Sequence, residues 1–487
     1  MKNTLRITAI ASLLLFGSAC QTVQNPATGE EQFTTISQEQ EREIGRQQHP
    51  QVLAEFGGAY NDPQLQAYVD RVGRRLAQNA ELPAEQFTFT VLDTPVVNAF
   101  ALPGGYVYMT RGMMAVLNTE AELAGVLGHE IGHVTARHGA TRQTRGLFAN
   151  LAVIGAAVLT GSQEIAQLGQ VAAQGYLASY SRDQESQSDS LGIRYLSRSG
   201  YDPQGMTDGL RALQRHGDLM ARMSGQQAQQ MSFFSTHPQT PERISATQRE
   251  ARAATIDGEA RVGREAYLDA LDGMIYGSSP AQGFVRGNRF SHPELRFTFT
   301  VPEGYRMDNL PHAVIASPSN GRDFIVFDQE PDRRTAASAG SMSGYISQRW
   351  AAEAQLSNLQ RFTVDGMPAA TAVAQATANG QPVSVRLVAI RYDAEHIYRF
   401  MFVAPRGSLN ARSSENTINS FRRLSASEAS QLQPLRIEVV RVQSGDTIQK
   451  LTRFDIQDGF EDDRFRVING FDRGDGLRAG MDVKVIR

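Results

Sequence analysis

The stretch ELAGVLGHEIGHVTARH, residues 122–138, sets His129, Glu130 and His133 within five residues of one another in an otherwise apolar run. Val126, Leu127 and Ile131 have the character of a helix core. Gly128 and Gly132 permit close packing, at a cost of roughly 1 kcal/mol each in helix propensity. Histidine is a mediocre helix former, so the helix gains nothing locally from His129 and His133. Spaced four apart, the two imidazoles project from one helix face, one turn above the other. Both then reach a single ion at about 2.0–2.1 Å. Glu130 lies beside them, close enough to touch a water on that ion without ligating it. HExxH is the metalloprotease pattern with that mechanical logic. The plainer alternative is a pair of core histidines with satisfied hydrogen bonds.

A catalytic metal needs three protein ligands and an open position. One cysteine in 487 residues excludes a Cys-rich cluster and any internal disulfide, so the ligands must be histidines and carboxylates. His138, five residues after His133, rotates off the helix face and reads as a surface residue or as a partner behind a ligand. SRDQESQSDSLG, residues 181–192, offers Glu185 and Asp189 four apart on one helical face. Glu185 can complete a His₂Glu set, and Asp189 can hydrogen-bond the far nitrogen of a ligand histidine and fix its tautomer. Taken alone, such a pair is more commonly an exposed acidic face.

HEIGHVTARH, SRDQESQSD and STHPQTPERI (residues 235–244) together resemble the metallopeptidase family that includes the HtpX and CAAX prenyl proteases, family forty-eight. Within it the chain is most similar to the soluble periplasmic BepA-like branch, over residues 35–250. The resemblance implies one zinc per chain, held by His129, His133 and Glu185, with Glu130 as the base. VNAFALPGGYVYMT, residues 97–110, also matches, and implies an edge strand that pairs with the backbone of an extended substrate. Asn98 and Ala99 would then lie near the cleavage site. In the matching loop His237 either stabilises the oxyanion or takes the fourth zinc position and holds the enzyme off. Arg243 either orients that loop or binds the oxyanion. A helix-capping loop is the plain reading of the same residues.

The N-terminus reads MKNTLRITAIASLLLFGSAC: Lys2 and Arg6, an apolar run from Ile7 to Phe16, then small residues up to Cys20. This is the layout of a secretory signal over residues 1–20, too short to span a bilayer as a mature helix. The cysteine after small residues resembles a lipobox, with Gly17 where leucine is usual, and makes Cys20 the candidate lipidation site. Cleavage after Ala19 by ordinary signal peptidase is the alternative. Gln21 in the next position resembles the sorting rule for the outer membrane. A net charge of −3 offers no basic footprint for nucleic acid.

Along the chain, SQEQEREIGRQQHPQVLAEFG reads as a helix with Ser37 and Gln40 at capping-box spacing. DPQLQAYVDRVGRRLAQNA reads as a second, with Leu65, Tyr68, Val69, Val72 and Leu76 on one face. QFTFTVLD alternates like a strand, and the Pro103-Gly104-Gly105 turn joins two more. The apolar stretch 146–161 suits a buried or membrane-surface helix, being too short to cross a membrane. After about residue 285 strands predominate, with helices expected near 341–357 and 410–422, and no catalytic constellation. VQSGDTIQKLT and the later NG…L…G pattern resemble a LysM module, whose function would be peptidoglycan binding or simply packing.

The expected architecture is therefore multidomain. A mainly α, zincin-like (gluzincin) peptidase domain with a small β-sheet spans 21–255, and a linker follows at 256–285. An α+β accessory domain covers 286–428, and a small LysM-like α/β unit covers 435–487. The expected function is a zinc endopeptidase of the bacterial periplasm that hydrolyses misfolded or stalled envelope proteins. Membrane attachment would run through a lipid anchor, with peptidoglycan and the outer-membrane assembly machinery as further partners. Rival readings are an envelope scaffold with a structural zinc, and a protease gated by His237 and the 141–180 segment.

Overall fold

A computed structural model describes residues 21–34, 36–142, 179–224, 233–238, 241–256, 258–318, 321–378, 380–456 and 458–487. The expected signal segment with Cys20, the apolar stretch 146–161 and most of the 141–180 segment lie outside the described residues. The chain divides into two compact units: residues up to Gly277 together with Leu435–Arg487, and Ser278–Pro434.

The first unit begins with a hairpin of β1 (Gln21–Gln24) and β2 (Glu31–Thr34). Helix α1 (Gln38–Glu55) starts at the expected capping box: Ser37 Oγ accepts from the Gln40 N–H at 3.2 Å, and Gln40 Oε1 accepts from the Ser37 N–H at 2.8 Å. Helix α2 (Pro63–Ala77) is capped by Asp62, opens on a proline, and buries Leu65, Tyr68, Val69, Val72 and Leu76. Strands β3 (Thr88–Leu92), β4 (Ala99–Leu102) and β5 (Tyr106–Thr110) form a sheet in the order β3-β5-β4. β3 runs parallel to β5 and β4 antiparallel, which leaves β4 at an edge. The turn between β4 and β5 needs Gly104, at φ +87°, because a Cβ there would meet Arg42 Cα at 2.6 Å.

After the short α3 (Arg111–Val116) comes the HEIGH helix, α4 (Glu120–Thr135), whose cap Thr119 accepts from the Glu122 N–H at 3.0 Å. All its residues are buried, which accounts for a sequence apolar on every side. Helix α5 (Arg182–Arg198) carries the second motif, and its Ser181–Gln184 pair forms another capping box. Helices α4 and α5 meet along glycines. A Cβ on Gly128 would sit 3.2 Å from Gly192 Cα, and one on Gly132 would sit 3.1 Å from the Ser188 carbonyl. α6 (Gln204–Ser224), the single turn α7 (Phe233–Thr236) and α8 (Pro241–Ala253) follow.

The span 256–285 is not the simple linker expected from its polarity. It contains α9 (Arg264–Leu271) and β6 (Ile275–Tyr276), with Tyr267, Leu268 and Leu271 buried. Apolar residues at that helical spacing had been masked by charged neighbours.

In the second unit, β7 (Phe284–Arg286), β8 (Arg289–His292) and β9 (Phe297–Thr300) form a small antiparallel sheet, with Arg422–Arg423 paired to β9 as its fourth strand. A seven-stranded antiparallel sheet joins β10 (Tyr305–Leu310), β11 (Ala313–Pro318), β12 (Phe324–Gln329), β13 (Leu356–Val364), β14 (Met367–Ala378), β15 (Gln381–Arg391) and β16 (Ile397–Pro405) in the order β10-β11-β12-β16-β15-β14-β13. The helix expected over 341–357 is shorter. It runs from Met342 into a wide turn that ends at Trp350, and Leu356 already belongs to β13. The helix expected near 410–422 spans Ala411–Ser420.

Residues Leu435–Arg487 return to the first unit instead of standing apart. Strand β17 (Leu435–Arg441) pairs antiparallel with β18 (Asp482–Ile486), and its start also pairs with β6. Between the two strands lie helices Ile448–Leu451 and Glu461–Asn469. Lys484, on β18, is fully buried and donates to the carbonyls of Ala115 at 2.9 Å and Leu117 at 2.5 Å, at the end of α3. Burial pulls its ammonium pKa down, with the Glu122 carboxylate on α4 opposing. The attachment of this segment through Lys484 and Ile275–Tyr276 was not legible in sequence. Lys484→Ala takes the donor away from two buried carbonyls. We expect it to lower stability by about 2–3 kcal/mol in urea unfolding, with an unchanged m-value.

Candidate metal centre

His129 and His133 stand one turn apart on α4, with their Nε2 atoms 3.0 Å from each other. The glycine contact brings α5 close enough for Glu185 to face both: Oε1 lies 3.4 Å from His133 Nε2, and Oε2 lies 3.6 Å from His129 Nε2. His237, one residue past α7, completes the group, its Nδ1 2.9 Å from Glu185 Oε1 and 3.3 Å from His129 Nε2. One ligand-capable atom from each of the four residues falls within 4.8 Å of all the others, and all four residues are buried.

Behind these atoms stands a second layer of partners. Asp189 Oδ1 lies 2.9 Å from His129 Nδ1, one helical turn from Glu185. Arg243, on α8, grips Asp189 with two donors, Nε to Oδ2 at 2.6 Å and Nη2 to Oδ1 at 2.7 Å. It also pairs with Glu185 and donates to the carbonyl of Pro238 at 3.3 Å. Arg243 thus joins Glu185 and Asp189 on α5 to the Pro238 carbonyl beside His237. His133 Nδ1 meets His138 Nδ1 at 2.8 Å.

Electrostatics follow from burial and these partners. Burial raises the Glu130 carboxyl above its ordinary range, and the neighbouring His237 and His129 only partly offset it. Burial also works against ionised Glu185 and Asp189. There the surrounding partners win: His237, His133 and His129 hold Glu185 well below its ordinary value, and Arg243 and His129 lower Asp189. The three carboxyls of the group are thus pushed in opposite directions, Glu185 and Asp189 downward and Glu130 upward. Both Glu130 oxygens lack a hydrogen-bond partner among the described residues.

The donor set fits a metal ion. With Nδ1–H of His129 directed at Asp189, its Nε2 presents a lone pair toward the equivalent atom of His133, 3.0 Å away. Without a metal, a proton on His133 Nε2 would bridge the pair; with both Nε2 atoms bare and the Glu185 oxygens beside them, a cation seated between them satisfies all three residues at once. Two histidines and a glutamate form a donor set typical of catalytic zinc.

Asn98 and Ala99 lie at the start of the edge strand β4. Asn98 Oδ1 is buried with no partner among the described residues, and the carbonyl of the preceding Val97 accepts from the Phe233 N–H at 3.1 Å. The His237 turn is thereby tied to the start of β4. Three residues near the metal ligands escaped sequence reasoning. Tyr180 stacks on His133 at 3.7 Å, Phe233 stacks on His237 at 4.3 Å, and Gln187 bonds His138. Only Tyr180 carried a signal, as an aromatic directly before the SRDQE segment. Arg243→Ala strands two buried carboxylates. Its expected cost is about 3–5 kcal/mol in chemical denaturation of the metal-free chain, and Arg243→Lys should recover only part of the loss, because one ammonium cannot reproduce the fork.

Comparison with known proteins agrees with this geometry. Residues 63–251 match the model of Peptidase family M48. The chain is 32% identical over 259 residues to a beta-barrel assembly-enhancing protease of Yersinia pestis, covering 49% of this chain and 51% of that one. To the protein of the same name from Escherichia coli K12 it is 30% identical over 223 residues, covering 42% and 45%. To metalloprotease YcaL of Escherichia coli K12 it is 29% identical over 253 residues, covering 50% of this chain and 95% of that one. The chain thus spans about half the length of the first two relatives. Residues 63–251, which hold His129, Glu130, His133, Glu185, His237 and Arg243 in one buried group, are thus a segment similar to the metallopeptidases of family M48.

Proposed function

We propose that this chain is a zinc endopeptidase of the bacterial periplasm that hydrolyses misfolded or stalled outer-membrane proteins. The observation that carries the reading is the buried Glu130 carboxylate, which makes no hydrogen bond among the described residues and lies with Oε1 3.6 Å from His237 Nε2, beside a His129–His133–Glu185 set. A purely structural site has no use for a base there. Zinc bound by those three residues would supply Lewis acidity and lower the pKa of a water toward about 7. Glu130 then accepts a proton from the attacking water and passes it to the leaving amine, a task suited to a carboxyl whose burial raises its pKa. Asp189 and Arg243 hold His129 and Glu185 in place throughout. An extended substrate adds to the open edge of β4, with Asn98 and Ala99 at the scissile bond.

The relatives' name, beta-barrel assembly-enhancing protease, supports outer-membrane proteins as the substrate class. No helix among the described residues is long and apolar enough to cross a membrane. In this reading attachment falls to a lipid on Cys20, and the strand–helix–helix–strand end module adds contact with peptidoglycan.

His237 favours a second, gated reading. Its Nδ1 sits among the ligand atoms, so the four-residue set is closed in the manner of structural zinc, leaving no position for water. In the gated protease His237 swings out when substrate arrives. In a scaffold it stays. Cleavage of casein by the purified chain tests all three readings. Glu130→Gln should keep one zinc per chain and lose at least a hundredfold in turnover; near-normal turnover in that variant would remove Glu130 from the mechanism. His237→Ala should raise turnover severalfold if the residue gates, and leave the chain inert if the zinc is structural.

A further inference from the structure

His138 lies beyond the end of α4, where a continuing helix would carry it off the ligand face. The helix stops at Thr135, and Arg137 adopts φ 56°, in the left-handed region that a non-glycine residue enters only under external hold. That hold is visible. Arg137 Nε donates to Glu41 at 3.0 Å and Nη2 to the Ile36 carbonyl at 2.7 Å, while Asn25 and Gln32 of the N-terminal hairpin both donate to the Ala136 carbonyl. The turn folds His138 back under the ligand face, 2% exposed, with Nδ1 2.8 Å from His133 Nδ1 and 3.3 Å from the Ser188 hydroxyl, which can donate to the same nitrogen, and Nε2 2.7 Å from Gln187 Oε1 on α5.

Resting on the metallopeptidase reading above, the geometry points to His138 and Gln187 as positioning residues that fix the tautomer of His133. With the Gln187 amide oxygen facing His138, the protons have one arrangement. An amide oxygen only accepts, so His138 must carry its proton on Nε2 and present a bare Nδ1. That bare nitrogen can only accept, so His133 carries its proton on Nδ1 and keeps Nε2 free for the metal. With the Gln187 amide turned round, every proton in the chain shifts and His133 Nε2 is blocked, which metal binding forbids. The relay works through acceptors and needs no net charge. His129, in contrast, is held by the carboxylate of Asp189. Histidine ligands commonly lean on carboxylates, carbonyls or water; here a second neutral imidazole does the same work.

The test is metal affinity of the full chain, measured by competition with a chromophoric chelator for zinc and for cobalt(II). His138→Leu removes the acceptor, and affinity should fall ten- to hundredfold. His138→Asn, whose amide oxygen can accept from His133 Nδ1–H, should bind within about threefold of wild type. In cobalt-loaded protein the exchangeable Nδ1 proton of His133 should appear as a hyperfine-shifted resonance in wild type and the Asn variant, and be lost by solvent exchange in the Leu variant. Gln187→Leu serves where His138→Leu does not fold, and should weaken binding severalfold. Equal affinity of the Leu variants and wild type would overturn the relay alone, as would equal losses for Leu and Asn at residue 138. A wild-type chain that takes up no metal would overturn the metallopeptidase reading itself.

Discussion

Everything at the metal centre depends on how closely α4 and α5 approach. Side chains are missing where the two helices touch: Gly128 and Gly132 on one, Gly192 on the other. A Cβ on Gly192 would come within 3.0 Å of the His129 backbone nitrogen. Typical helix pairs sit 8–10 Å apart, set by the side chains at the contact. Removing those side chains lets a short carboxylate on α5 reach imidazoles on α4 without an intervening loop. The propensity lost at each glycine is the cost of that proximity. Ligands carried on two rigid, capped helices then hold their spacing better than ligands on loops would.

The two histidine ligands are not equivalent. His129 leans on an ionised carboxylate gripped by an arginine, whereas His133 leans on a neutral imidazole and is covered by the Tyr180 ring. Arg243 binds both the carboxylate layer and the Pro238 carbonyl, so the loop carrying His237 shares a clamp with Glu185 and Asp189. Movement of that loop and electrostatics at the ligands are accordingly linked through one guanidinium. Phe233 adds a second link, since its N–H occupies the Val97 carbonyl at the mouth of the edge strand.

Much of the site was readable because short-range patterns dictate it. HExxH and the Glu185–Asp189 pair both rest on four-residue helical spacing, and both capping boxes rest on a three-residue offset, so each is local in sequence. The edge position of β4 was signalled by its Pro-Gly-Gly turn and by family resemblance. What stayed hidden was non-local or depended on unusual backbone. No pattern announces that Arg137 will adopt a left-handed conformation, and without it His138 points the wrong way. Lys484 reads as an ordinary alternating strand residue, and only the fold reveals it beneath α3. The span 256–285 looked like a linker because the polar residues around Tyr267 and Leu271 outnumber the few that pack.

The N-terminal hairpin bears on how load would travel through the molecule. Its outermost pair is Gln21 with Thr34 and its innermost is Gln24 with Glu31, so the chain enters and leaves at the same end. Force applied at residue 20 therefore peels the pairs one at a time instead of shearing them together. Asn25, which holds the carbonyl of Ala136 three residues past His133, lies beyond the last pair. A pull on the N-terminal side of the hairpin is spent in opening this zipper, pair by pair, before it reaches the helix that carries His129 and His133.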